Sequence, residues 1–156
     1  MSTAQRSNVD LNKLPSTKGK RFALVVSEWN SEITNNLKSG ARETLLSSGV
    51  KTKDNEEFNV PGSFELIHAC KVVSESLEFD AVISIGSIIR GETSHFDFVC
   101  HGVSSGIALL NANGKTPIIF CVLTDDNKQQ SINRSGGKYG NKGIEAAIAA
   151  IKMSSF

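Results

Sequence analysis

From Arg21 onward, short apolar runs rich in β-branched residues alternate with longer segments in which apolar residues recur every three or four positions. The short runs predict β-strands and the longer segments predict helices. Most of the short runs are almost continuously apolar, which is typical of parallel strands that are buried on both faces of a sheet. The four predicted strands are Phe22–Ser27, residues 58–60 with a few residues before them, residues 81–87 and residues 117–123.

Helical segments lie between these strands and after the last of them. The clearest apolar stripe follows the third strand, and Gly49 is placed to end the first helix. An alternation of strands and helices with right-handed crossovers implies a flavodoxin-like, three-layer α/β/α sandwich, with a four-stranded parallel sheet and helices on both faces. The predicted helices span about residues 33–49, 64–76, 96–110, 126–135 and 141–153.

The length and the start of the chain indicate one domain preceded by an arm. A chain of 156 residues can build one ordinary hydrophobic core but not two. The first 20 residues are polar and show no period, so we expect a flexible N-terminal arm over residues 1–20 that does not pack on the core. Residues 21–156 are then expected to form a single domain.

Charge and hydropathy exclude several classes of protein. Lys and Arg total 17 against 16 Asp and Glu, so the formal charge of +1 argues against a strongly basic nucleic-acid binder. No apolar stretch approaches the roughly 20 residues that a membrane span requires. The first 20 residues also lack a secretory signal. We therefore expect a cytoplasmic protein with neither a nucleic acid nor a membrane as partner.

The cysteines and histidines do not suggest a metal site. Cys70, Cys100 and Cys121 each lie in an apolar run, so all three are expected to be buried thiols. A catalytic thiol at Cys100, next to His101, is the alternative, but adjacent residues of a helix point apart. The histidines have no metal-ligand spacing, so no metal is assigned.

Candidate binding residues follow the first two strands, where ligands of open α/β sheets bind. Trp29, the only tryptophan, and Asn30 come directly after the first strand. The indole is either a platform for a flat heterocycle or a side chain folded over its own helix. After the second strand, Ser63 is predicted to cap a helix, while Glu65 either complements the helix dipole or accepts hydrogen bonds from a polyol.

The stretch from Gly86 to His95 after the third strand carries the most chemical information. Its glycine and hydroxyl residues lead into a helix N-terminus, which favours a phosphate, although it is not a P-loop. Ser94 and Asp97 could instead form an S-x-x-D capping box. His95, in the first turn of this helix, can give and take protons at neutral pH.

Residues after the fourth strand complete the candidate set. Phe120 is most simply a core residue, and Asp125 or Asp126 most simply caps a helix. Residues 134–143 contain three cations, no acid and four glycines. This segment is either a solvated loop or a flexible phosphate clamp in which Arg134 makes the bidentate contact.

Four motifs follow one another along the chain: WN, PGSFE, GSIIRGETSHFD and IFCVLTDDNKQQSINRSGGKYGNKG. Together they resemble, over residues 21–153, the motifs of the 6,7-dimethyl-8-ribityllumazine synthase family. The resemblance implies a transferase that condenses 5-amino-6-(D-ribitylamino)uracil with 3,4-dihydroxy-2-butanone 4-phosphate, releasing phosphate and water. This is the penultimate step of riboflavin biosynthesis, and it needs neither a metal nor an organic cofactor.

Matching positions imply a role for each candidate residue. Trp29 would stack on the pyrimidine, at a position where relatives carry Phe, Trp or His, and His95 would donate and accept protons. The residues implied to hold the ribityl chain are Asn30, Ser63, Phe64 and Glu65, with Ser63 standing where Ala is common. The main chain of Ser87, Ile88 and Ile89 would bind the pyrimidine edge, and Glu92 with Thr93 the butanone phosphate.

The resemblance also implies an assembly. Phe120, Arg134 and Lys142 would come from a neighbouring subunit, Arg134 to the phosphate and Lys142 near the pyrimidine. A homopentamer is expected, and we favour an icosahedral 60-mer of twelve pentamers, with riboflavin synthase as a candidate partner. Two other functions stay open on the same residues. They are a noncatalytic flavin-binding module and a related riboflavin synthase.

Overall fold

The computed structural model describes residues 10–156 and contains a four-stranded parallel sheet in the order β2-β1-β3-β4. All four predicted strands are present. β3 and β4 each run two residues further toward their carboxyl ends than the apolar runs predicted. The strands are β1 (Phe22–Ser27), β2 (Asn55–Val60), β3 (Ala81–Ile89) and β4 (Ile118–Asp125).

Five helices cover the two faces of this sheet, which confirms the three-layer sandwich. α1 and α5 pack with one set of strand side chains, including Leu24 and Ile83. α2 and α3 pack with the opposite set, including Val25 and Val82. The helices are α1 (Ser31–Ser47), α2 (Leu66–Glu75), α3 (His95–Asn113), α4 (Lys128–Arg134) and α5 (Lys142–Met153).

α1 and α5 approach each other closely because glycine lies at their contact. A Cβ atom on Gly143 would stand 1.9 Å from the main-chain oxygen of Leu37. Ala147 and Ala150 of α5 are fully buried in the core of this same chain. Small residues on α5 therefore set the close approach of the two helices, and larger side chains such as Leu37 and Ile151 fill the core beside them.

The segment before β1 lies partly on the domain. Residues 1–9 of the predicted arm are outside the described residues. Within residues 10–20, Leu14 packs against the core and the buried Thr17 donates a hydrogen bond to the main-chain oxygen of Ser48 at 2.7 Å. The expectation that nothing before residue 21 packs on the core is therefore wrong for Leu14 and Thr17. One apolar contact and one hydrogen bond are enough to hold this stretch on the domain. The division of the chain into an arm and a single domain stays a prediction.

A short hairpin, β5 (Ser135–Gly137) with β6 (Gly140–Asn141), joins α4 to α5. The cationic segment of residues 134–143 therefore has defined structure. Across residues 10–156, no helix has the length and apolar character needed to cross a bilayer.

Candidate active site

The loop after β1 is fixed by its main chain while its indole stays free. The N–H of Glu28 donates to the Val60 oxygen at 2.8 Å, and the N–H of Trp29 donates to the Pro61 oxygen at 3.2 Å. The Trp29 side chain is nevertheless 73% exposed. It does not fold over α1, which was the alternative interpretation, and it is available to stack on a planar ring.

Asn30 connects the end of β1 to the end of β3. It adopts a left-handed conformation, with φ of 57°, and its side-chain nitrogen donates to the Ser87 oxygen at 2.8 Å. The ladder between β1 and β3 ends at Val26 and Ile85, so β3 continues for four residues without β1 as a partner. Main-chain groups on that side of β3 lie at the carboxyl edge of the sheet, where the predicted site is located.

The turn after β2 places Phe64 and Glu65 at the same edge. Phe64 is 54% exposed. Its ring packs so closely on α3 that a Cβ atom on Gly102 would stand 2.8 Å from the ring carbon Cε2. Ser63 is buried, and its Oγ lies 2.7 Å from the position of a Cβ atom on Gly86. The predicted helix cap by Ser63 is not formed, because α2 begins after Glu65 with no side-chain cap.

The loop before α3 is exposed from Gly91 to His95, and it contains Glu92 and Thr93. The predicted capping box is absent, since Ser94 makes no side-chain cap at the start of α3. Its intended partner, Asp97, directs its carboxylate to Arg90 instead. Neither side chain therefore occupies the first N–H groups of α3, although the His95 N–H donates a long hydrogen bond of 3.4 Å to the Thr93 hydroxyl. N–H groups without a helical partner are the condition for anion binding at a helix N-terminus.

Arg90 is a residue that the sequence analysis did not single out. Its Nε donates to Asp126 at 2.9 Å, its two terminal nitrogens donate to the Asp97 carboxylate at 3.0 and 3.2 Å, and its guanidinium lies 4.1 Å from the centre of the Phe96 ring. Hydrogen bonds to Asp97 and Asp126 raise the pKa of Arg90. An arginine at a strand end with an aspartate in the next helical turn was the signal available in the sequence.

A groove of about 1100 Å³ runs along the outer edge of β4 and contains the other three candidates. Phe120 of β4 is 42% exposed, so its prediction as a core residue is wrong; β4 is an edge strand, and this side chain has no strand beyond it. Arg134 donates to the Gln130 oxygen at 3.0 Å, and Lys142 donates to Glu145 at 2.8 Å.

Asp125 lies beneath Arg134 and does not cap a helix. Its carboxylate is almost buried, accepts a hydrogen bond from Ser131 at 2.8 Å and lies 3.7 Å from Arg134. The α4 cap is Asn127, whose side chain accepts from the Gln130 N–H. Two cations of the segment 134–143 thus pair with acids outside it: Arg134 lies near Asp125 of β4, and Lys142 pairs with Glu145 of α5.

The candidates form two separate groups in one chain. The strand-end group comprises the loops after β1, β2 and β3, with Trp29 and His95 among its members. The groove group comprises Phe120, Arg134 and Lys142, and no residue of the strand-end group lines that groove. A single chain therefore does not gather all candidates in one cavity.

The cysteines are not poised as nucleophiles. Burial raises the pKa of the Cys70 and Cys121 thiols to about 12. Cys100 is only partly buried, contrary to expectation, because few residues of α3 face the sheet. Its partial burial and the Asp97 carboxylate raise the pKa of its thiol. Within residues 10–156, no three His, Cys, Asp or Glu side chains cluster as metal ligands.

Comparison with known proteins agrees with these features over nearly the whole chain. The family model described as 6,7-dimethyl-8-ribityllumazine synthase matches residues 19–156. The protein of that name from Christiangramia forsetii is 55% identical over 149 residues, covering 95% of this chain and 89% of the relative. That of Flavobacterium johnsoniae is 56% identical, covering 95% and 78%. That of Parabacteroides distasonis is 48% identical, covering 100% and 99%. The chain therefore belongs to the 6,7-dimethyl-8-ribityllumazine synthase family.

Proposed function

We propose that this protein condenses 5-amino-6-(D-ribitylamino)uracil with 3,4-dihydroxy-2-butanone 4-phosphate to give 6,7-dimethyl-8-ribityllumazine, phosphate and water. The observation that carries the proposal is the meeting of three features at one edge of the sheet: an exposed indole, a stretch of β3 that has β4 but not β1 beside it, and a helix start that neither Ser94 nor Asp97 caps. These three features suit a flat ring, its polar edge and a phosphate. Family membership supplies the reaction that uses all three.

The uracil substrate is assigned to the loops after β1 and β2 and to the end of β3. Trp29 stacks on the pyrimidine, and its high exposure supports this role. The main chain of residues 87–89 hydrogen-bonds the pyrimidine edge, which is supported by the absence of β1 beside this part of β3. Asn30, together with the Ser63, Phe64 and Glu65 turn, holds the ribityl chain.

The phosphorylated ketone is assigned to the loop before α3. Glu92 and Thr93 bind the phosphate through main-chain and hydroxyl donors, and the N-terminus of α3 contributes its dipole. Arg134 of a neighbouring subunit adds a charge-assisted clamp. His95, exposed in the first turn of α3, lies next to this phosphate site.

This arrangement performs the reaction mainly by positioning. The amine of the uracil is itself the nucleophile that attacks the ketone, so the protein needs no Ser, Cys or Lys nucleophile. Holding two reactants face to face gives large effective molarities. His95 moves protons as water and phosphate leave, a contribution that is typically about 10²- to 10⁴-fold.

The assembly proposed is a homopentamer in which the groove group of one chain completes the strand-end group of the next. Phe98 and Leu109 of α3 are 74% and 65% exposed, which supports burial of this helix against a second copy. We extend the proposal to an icosahedral 60-mer in the cytoplasm, with riboflavin synthase as partner. Sedimentation or negative-stain imaging that finds only free pentamers contradicts the shell.

The decisive assay mixes the purified protein with both substrates and follows lumazine absorbance and inorganic phosphate together. We expect both products to rise, and neither to rise when one substrate is omitted. Release of riboflavin from lumazine alone would instead identify a riboflavin synthase. Binding of riboflavin with no turnover of the two substrates would identify a flavin-binding module.

A further inference from the structure

Arg90 joins three elements where β3 ends. Its main-chain N–H donates to the Asp125 oxygen at 2.9 Å, which fixes it to β4. Its guanidinium reaches Asp97 in the first turn of α3 and Asp126 in the turn before α4, while it stacks on Phe96. We call Arg90, Phe96, Asp97 and Asp126 the Arg90 clamp.

The clamp supplies a side-chain link between the start of α3 and the turn after β4. Among residues 10–156, residues 91–94 form no side-chain hydrogen bond or ion pair with β4 or α4. The contacts of this loop are internal or with α3, such as the Asp97 N–H to the Ser94 oxygen at 3.0 Å. Arg90 therefore adds a side-chain link that fixes this loop relative to the turn after β4, beside the main-chain pairing of β3 with β4.

The same guanidinium governs the local charge. Asp97 and Asp126 place two carboxylates beside the uncapped start of α3, and Arg90 offsets one of them. It also keeps the Asp97 carboxylate turned away from the first N–H groups of the helix. Without Arg90, two uncompensated negative charges would stand next to a site proposed for an anion.

We propose that Arg90 is a positioning residue for the phosphorylated substrate, holding Thr93 and His95 in register with β4 without itself touching either reactant. This inference rests on the proposed function, which assigns the loop before α3 to butanone phosphate. The uracil side of the site is built on the loops after β1 and β2 and on the main chain of residues 87–89, and the Arg90 side chain contacts none of these. Loss of Arg90 consequently acts on one substrate and not on the other.

The test is steady-state kinetics of Arg90→Gln in the assembled protein, varying each substrate separately. We expect kcat/KM for butanone phosphate to fall about 10²-fold, the effect of misplacing reacting groups by about 1 Å. KM for the uracil substrate should stay at the wild-type value. Arg90→Lys should recover only part of the loss, because a lysine keeps the charge but not the planar fork.

A matched control removes an arginine of the same exposure elsewhere. The Arg42 side chain is 40% exposed, against 41% for Arg90, and Arg42 pairs with Glu57 at 2.9 Å on the α1 face. Arg42→Gln should leave both KM values unchanged. Hydrogen exchange measured on the same proteins should quicken over residues 91–97 in Arg90→Gln but not in Arg42→Gln.

Two results would overturn the inference. One is an Arg90→Gln protein whose kcat and whose KM for butanone phosphate both match the wild type, and the other is an equal rise in KM for both substrates. Thr93→Ala separates this failure from that of the proposed function. If Thr93→Ala raises KM for butanone phosphate while Arg90→Gln does not, only the role of Arg90 fails. If neither variant does, the phosphate site itself is wrong.

Should Arg90→Gln not assemble, Asp126→Asn removes one arm of the clamp and carries the same test with a smaller expected loss.

Discussion

Replacing Arg134 by alanine tests the proposed phosphate clamp. The guanidinium lines the groove beside β4, where it donates to the Gln130 oxygen and lies 5.4 Å from the centre of the Tyr139 ring. Its nearest carboxylate oxygen, on Asp125, is 3.7 Å away, which is too long for a hydrogen bond. Most of its donors are therefore free to engage a phosphate.

The expected magnitude follows from those free donors. A hydrogen bond to a charged group contributes about 1.5–3 kcal/mol, and about 1.4 kcal/mol corresponds to a factor of ten. Arg134→Ala should therefore raise KM for butanone phosphate by about 10- to 150-fold. The fold should survive, because the Asp125 carboxylate keeps the hydrogen bond from Ser131. The unfolding midpoint measures any cost to stability separately.

Lys138→Ala provides the control in the same segment. It also removes one positive charge, and its Nζ lies 5.3 Å from the centre of the same Tyr139 ring, but Lys138 is exposed and does not line the groove. Initial rates are measured at saturating uracil substrate while butanone phosphate is varied. A KM for Arg134→Ala that matches the wild type, or an equal rise in Lys138→Ala, would refute the reasoning.

Three further variants and one pH series extend these tests. His95→Asn should slow kcat without abolishing it, by at most the 10²- to 10⁴-fold typical of proton transfer; unchanged kcat and KM would remove its role. Trp29→Ala should weaken binding of the uracil substrate by about 1–3 kcal/mol, the value of base stacking, and so raise its KM by about 5- to 150-fold, while Trp29→Phe should not. Gly143→Ala should lower the unfolding free energy in urea by about 1–3 kcal/mol, because its Cβ overlaps a carbonyl of α1. Burial acts to raise the pKa of Glu57, but the hydrogen bond from Lys38 leaves it below 4.5. The stabilisation from Glu57 is thus present above about pH 4.5 and lost as the pH falls, so Glu57→Gln should cost stability at neutral pH but little in acid.

Local sequence was sufficient for the strands and for the edge of the sheet where the candidates lie. β1 and β3 are almost continuously apolar and are buried on both faces of the sheet, and the apolar run of β4 resembles them, so all three strands could be located from the runs themselves. Trp29 comes shortly after the end of β1 and His95 shortly after the end of β3. Parallel strands bring those two ends to the same edge of the sheet. Such inferences need only the order of elements along the chain.

Side-chain partners could not be predicted because they depend on which strands are neighbours. Phe120 is exposed since β4 closes the sheet on one side, a fact contained in the strand order and not in the run itself. The spacing of Ser94 and Asp97 fits a capping box equally well, but Arg90 competes for the carboxylate and provides two hydrogen bonds where a cap provides one. Long-range competition of this kind is absent from any local pattern.

The separation of the strand-end group from the groove group has a consequence for mixtures of chains. Under the proposed assembly each chain shares in two catalytic centres, giving Trp29 to one and Arg134 to the next. A culture that expresses Trp29→Ala and Arg134→Ala chains together would then regain activity, since some neighbours meet through their intact halves. A chain that carries both substitutions would inactivate two catalytic centres in a pentamer whose other chains are wild type, so the mutant gene would be partially dominant.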